Sequence, residues 1–182
     1  SNKSTIFMGN PILLRMVVWL HTDNQNIPNG LAELYSRFLK GWFDREKAKI
    51  VSRGESIKWS FDEFREILAE LAFNLKNHGR TYCSLDFAKD KISNKLDTNE
   101  LECFFQTYAQ GLVIATDSEN KNIKFSHETI LEYFAAEYLV SCKSLKLIAN
   151  NTTREFKKWD YVIAFAYELE PVPSLEFIKT SW

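Results

Sequence analysis

In NIKFSHETILEYFAAEYLV, residues 122–140, a single histidine stands where a strand pattern gives way to a helix pattern. A helix start presents free backbone N–H groups and positive potential, so an imidazole there adds one more donor to a place already suited to an anion. His127 also has ordinary uses at that position. It can cap the helix, or pack beside the apolar rows Ile130, Phe134, Tyr138 and Leu131, Ala135, Leu139 that follow one turn later.

The remaining reactive side chains assemble no catalytic pattern. Ser126 precedes His127, but neighbours at a helix start point in different directions, and no G-x-S-x-G is present to hold a nucleophile against a base. His78 and Cys83 lack the two further ligands a zinc site needs. Cys83, Cys103 and Cys142 are odd in number and widely spaced, so they imply neither a disulfide framework nor a metal cluster. Autonomous nucleotide hydrolysis needs G-x-x-x-x-G-K-[ST], whose glycine amides wrap the phosphates while the lysine neutralises them. No glycine in the chain is followed by lysine, and no apolar strand ends in paired acids to hold magnesium. The chain by itself is expected to be no enzyme, and to hold no metal.

The elements that carry these residues follow from periodicity and caps. Asn10 is suited to an N-cap and Pro11 to the first helical position, which predicts a helix from Pro11 to about Thr22. The apolar run Pro11 to Leu20 contains Arg15 and is too short to span a bilayer. Turn residues Pro28-Asn29-Gly30 precede Leu31, Leu34, Tyr35, Phe38, Leu39 and Trp42 at helical spacing, giving a helical hairpin with an aromatic face. The polar stretch 48–56, with Gly54, is the expected internal boundary. Ser60-x-x-Glu63 is a capping box for a helix with Phe61, Phe64, Leu68, Leu71 and Leu75 on one face, stopping at Gly79.

Then come a short extended piece, Thr81 to Cys83, and a helix capped by Ser84. A third helix runs from the Asp97-x-x-Glu100 box to Gly111. Residues 112–116 and 122–125 are predicted to form a two-stranded hairpin, followed by a helix capped by Ser126 and another over 154–169. The fold class is therefore mainly α: a helical hairpin (1–56), a winged-helix domain with a small β-hairpin wing (57–126) and further helices (127–182). The supply of 14 Phe, 7 Tyr and 5 Trp against 6 Gly and 4 Pro suits long helices around a bulky core.

A winged helix first suggests DNA. Its third helix would have to present Arg, Lys, Asn or Gln to the major groove. Here that helix reads TNELECFFQTYAQG, with Glu100 and Glu102 and no Lys or Arg, and only Lys121 and Lys124 of the wing favour phosphate binding. A net charge of −1 gives no general attraction to nucleic acid or to anionic lipid. DNA and membrane are not expected partners.

MGNPILLRMVVWLHTDNQNIPNGLAELYSRFL resembles the helical domain that follows the nucleotide-binding core of NACHT-type STAND NTPases. IKFSHETILEYFAAEYLV resembles the end of their winged-helix domain, and the two motifs stand in the family's order and span most of residues 8–142. What the resemblance implies is a regulatory lid and conformational switch in a parent ATPase, folded over ADP bound to an upstream P-loop domain of the same chain. The family's G-x-P motif matches Gly9-Asn10-Pro11, so Pro11 would pack on the adenine; its winged-helix histidine matches His127, which would reach the β-phosphate.

The resemblance thus implies ADP or ATP as ligand of the longer protein and none retained by this chain. It also implies the upstream nucleotide-binding domain as partner, oligomerisation of the parent, and a cytoplasmic location. The family's P-loop, magnesium-binding acids and sensor repeats do not occur among these 182 residues, which reads as an excised fragment or a degenerate relative, and Ser1-Asn2 as a tag remnant. The alternative is a winged-helix module that binds nucleic acid or a protein partner. Pro11 as a plain helix starter, and His127 as a cap, stay open at this point.

Overall fold

Pro11 opens the first helix, α1 (Pro11–Thr22), with the bounds its sequence predicts; Leu13, Met16 and Leu20 are buried along one side of it. The computed structural model describes residues 11–22, 26, 28–92, 95–115, 122–143 and 156–171. Helix α1 packs on α2 (Leu31–Ser52), and the two close most tightly where Trp19 lies on Gly41. A Cβ at Gly41 would stand 1.8 Å from Trp19 Cη2, so only glycine admits the indole. Phe38 meets the same indole edge-on with ring centroids 5.8 Å apart.

Helix α2 continues into the polar stretch 48–56, through Ser52, and the chain turns at Gly54. The cause is Ile50, which is buried and extends the apolar face beneath an otherwise polar surface.

Helix α3 (Phe61–Asn77) starts at the anticipated capping box: the Glu63 N–H donates to Ser60 Oγ at 3.2 Å and the Ser60 N–H to Glu63 Oε2 at 2.8 Å. It is followed by β1 (Tyr82–Ser84) and α4 (Leu85–Ile92), where Ser84 Oγ accepts from the Phe87 N–H. Next is α5 (Thr98–Cys103), started by the Asp97 and Glu100 box. The predicted third helix does not continue unchanged to Gly111. Its second half, Phe104–Tyr108, is a π turn, closed by the Ala109 N–H donating to Phe104 O at 2.9 Å. Within this wider turn Phe104, Phe105 and Tyr108 are all buried, and the Tyr108 hydroxyl accepts from the Lys58 N–H at 2.8 Å.

Strands β2 (Val113–Ala115) and β3 (Asn122–Phe125) form the predicted hairpin, but the sheet has three strands in the order β1-β3-β2. Cys83 stands opposite Ile123, and Val113 opposite Phe125, all antiparallel. Helix, strand, two helices and a hairpin is the order of a winged-helix unit, and the fold class is mainly α as expected. Helix α6 (Glu128–Ser141) leaves the wing and α7 (Phe156–Leu169) packs on it.

One apolar core runs through all these elements. At its centre Phe64 is fully buried, with the rings of Phe43, Phe104 and Trp42 at 5.1, 5.6 and 5.8 Å. Burying such a ring contributes about 1.5–3 kcal/mol.

Ion pairs join α3 to α6, among them Lys76 with Glu128 at 3.6 Å. Lys76 Nζ donates to Glu132 Oε1 at 2.7 Å, and Arg65 Nε donates to Glu137 Oε1 at 3.1 Å, with Tyr133 donating to the same carboxylate at 2.7 Å. The start of α3 meets the end of α6 and the reverse, so these helices run antiparallel. Helix α7 reaches back to α2: Glu168 Oε2 accepts the Ala32 N–H at 2.7 Å and supplies the helix-start acceptor that Gly30 lacks. A Cβ at Gly30 would stand 2.8 Å from that oxygen.

Candidate functional site

His127 is the N-cap of α6. Its backbone is extended at φ −149, ψ 144, which leaves the first helical N–H groups free for a side-chain acceptor. The acceptor is its own ring: the Thr129 N–H donates to His127 Nδ1 at 3.2 Å. This corrects the expectation that Ser126 caps the helix; Ser126 lies outside it, exposed, with its N–H donating to Leu112 O at 2.7 Å. Thr129 Oγ1 also lies 2.9 Å from Nδ1 and is hydrogen-bonded to the hydroxyl of Tyr35, a fully buried side chain of α2. Burial raises the Tyr35 hydroxyl to about 12, so it stays protonated at neutral pH.

A backbone N–H can only donate, so this contact favours Nδ1 as the acceptor and, in the neutral ring, the proton on Nε2. Among the described residues no partner engages Nε2. The capping role and a ligand-binding role are therefore compatible, since they use different nitrogens.

The His127 ring is half-buried and lines a cleft of about 650 Å³ between the helical hairpin and the turn into α6. Pro11 lines the same cleft from the start of α1, with Arg15, Trp19 and Thr22 below it on that helix. Trp42 and Arg45 of α2 form the opposite wall, and Gly111 and Leu112 the floor beside the wing. Arg45 lies over Trp19 with its guanidinium carbon 4.9 Å from the ring centroid, a cation on an aromatic face. Among the described residues no carboxylate lines this cleft, whose charged side chains are Arg15 and Arg45. Aromatic walls, a rigid proline, two guanidiniums and a ring N–H suit a flat apolar group joined to an anion.

The structure thus brings Pro11 and His127 together across 116 positions of sequence. Gly9 and Asn10, the other two residues of the G-x-P match, lie outside the described residues. His21 and His78 are exposed and away from the cleft. Sequence reasoning missed Arg15 and Arg45 as lining residues. A signal for the first was present: Pro11, Arg15, Trp19 and Thr22 recur at helical spacing and therefore share a face. Arg45 carried no such signal, because its place depends on how α2 packs.

Among the described residues no three His, Cys, Asp or Glu side chains are grouped to hold a metal, and no helix is long and apolar enough to cross a membrane. Burial raises the Cys83 thiol to about 12, so it is held as an inert thiol in the sheet. Comparison with known proteins returns no matching family model and no matching curated protein.

Proposed function

We propose that this chain is the regulatory lid of a cytoplasmic NACHT-like signalling ATPase, and that its cleft closes over ADP held by a nucleotide-binding domain of the same parent. The observation that carries this reading is the single cleft shared by Pro11 and His127, lined among the described residues by two arginines and no carboxylate. Proline offers the adenine a rigid apolar face without a competing donor. His127 offers the β-phosphate Nε2–H, the nitrogen its cap leaves available. Arg15 and Arg45 supply positive charge that would otherwise come wholly from the partner domain. With no P-loop lysine in the chain, hydrolysis belongs to the parent and the lid contributes retention and release.

The nucleic-acid alternative has less to support it. The third helix buries Phe104, Phe105 and Tyr108, while Asn99, Glu102, Gln106 and Gln110 are exposed, with no cation among them. A groove-reading face would place Arg or Lys there. The test is genetic and biochemical together. The reading frame upstream of Ser1 should encode G-x-x-x-x-G-K-[ST], and His127→Ala in that longer protein should weaken ADP retention by about 1.5–3 kcal/mol. A frame without the motif, or an unchanged ADP affinity, rejects the assignment.

A further inference from the structure

We propose that Tyr35 and Thr129 are positioning residues that lock His127 in its Nε2–H tautomer, so that one ring nitrogen holds the helix and the other is kept as a donor. This deepens the nucleotide-lid reading and rests on it for its biological purpose, but not for its chemistry.

The chemistry starts from donors that cannot reverse. The Thr129 N–H points at Nδ1 at 3.2 Å, a long contact that favours that nitrogen as an acceptor without fixing it. The Thr129 hydroxyl is ambivalent: 2.9 Å from Nδ1, it can donate to an Nε2–H ring or accept from an Nδ1–H ring. Tyr35 removes the ambiguity. Its hydroxyl is buried on α2, remains protonated, and finds Thr129 Oγ1 as its partner. When Tyr35 donates to Oγ1, the Thr129 proton is directed onward to Nδ1. The acceptor role of Nδ1 then rests on two contacts, and the long backbone contact by itself leaves the other tautomer populated.

Tyr35 is itself held on several sides. Its ring stacks on Tyr133 of α6 at 5.3 Å and meets Phe165 of α7 edge-on at 5.2 Å, and one turn earlier the start of α2 is bound by Glu168. The donor state of a cleft residue is thereby set from the buried side of the molecule.

His78 provides an internal contrast. Its Nδ1 lies 2.7 Å from the carbonyl oxygen of Asn74, an obligate acceptor, so that ring carries its proton on Nδ1. The chain has only three histidines, which makes the two opposite tautomers separable in one spectrum.

The experiment is long-range 1H–15N correlation on the ligand-free chain with labelled histidine, above the pH at which imidazoles titrate. The expected pattern is Nε2–H for His127 and Nδ1–H for His78. Tyr35→Phe and Thr129→Val should each convert the single His127 pattern into a mixture of tautomers and leave His78 unchanged, while Thr129→Ser, which keeps a hydroxyl, should restore the single pattern. An Nδ1–H or mixed His127 in the unaltered chain overturns the proposal, and so does a His127 pattern indifferent to both disruptive variants. Since no nucleotide is present, failure of ADP binding in the parent would reject the lid reading without touching this result, and the reverse also holds.

Discussion

Charged side chains occur in two very different settings in this molecule, the α3–α6 interface and the cleft beside α1. At the interface every buried charge has an opposite charge within hydrogen-bonding reach: Lys76 with Glu132, Arg65 with Glu137. In the cleft, among the described residues, Arg15 and Arg45 face a space lined by no carboxylate, and His127 leaves one nitrogen without a partner. Charges of the first kind fix how helices are registered, because either one left alone in the core is costly. Charges of the second kind cost little to maintain beside solvent and add little to stability. Their arrangement makes sense for an anionic ligand.

The largest expected effect lies at the interface. Lys76→Met leaves Glu132 buried without its cation, and unfolding in urea at neutral pH should show a loss of about 3–5 kcal/mol. Burial already raises the Glu132 carboxyl above its ordinary range, against the opposing pull of Lys76. A raised carboxyl binds its proton more tightly in the folded than in the unfolded chain. Its contribution is therefore most favourable at low pH, and stability is lost as pH rises from the unfolded carboxylate range through the folded value. Removing Lys76 should deepen that loss, so the variant should recover part of its deficit on acidification. A variant as destabilised in acid, near the ordinary carboxylate range, as at neutral pH would contradict this account of Glu132.

Second in size is Gly41→Ala. The added methyl has to displace Trp19, which overpacking of this kind makes worth about 1–3 kcal/mol, and it should also detach Arg45 from the indole. Tryptophan fluorescence together with thermal unfolding would register both changes. Ser60→Ala removes the cap of α3 and should cost about 1 kcal/mol by the same unfolding measurement. Smallest of all is Arg15→Ala, whose effect on stability should stay within about 0.5 kcal/mol because the residue is exposed. In the proposed nucleotide-binding parent the same change should weaken ADP binding. An Arg15→Ala variant that is destabilised as severely as Lys76→Met would erase the distinction between the two settings.

Much of this was legible because it is local. Helix α1 keeps the predicted bounds, both capping boxes sit where S-x-x-E and D-x-x-E stand, and β3 covers the predicted residues. Pro11 and His127 could be singled out one at a time, each from its position at a helix start. What stayed hidden depends on contacts distant in sequence. Strand β1 is three residues whose identity comes from pairing with β3, some 40 positions on. The π turn exists because Tyr108 reaches back to the backbone of Lys58 and Ser56. The cap fell to His127 and not Ser126, since an imidazole can reach its own helix start while leaving Ser126 to hydrogen-bond Leu112. Most of all, the cleft is produced by the docking of the hairpin against the wing, so Arg45 could not be assigned to it in advance.

The central claim is that His127 serves a ligand as well as its helix, and one paired measurement separates the two. Asparagine is among the best N-caps but lacks the ring N–H. His127→Asn in the proposed nucleotide-binding parent should therefore unfold at nearly the wild-type denaturant concentration while binding ADP roughly ten- to 150-fold more weakly, the equivalent of one hydrogen bond to a charged group. Wild-type ADP affinity in that variant would leave His127 a cap and nothing more, and would contradict the account.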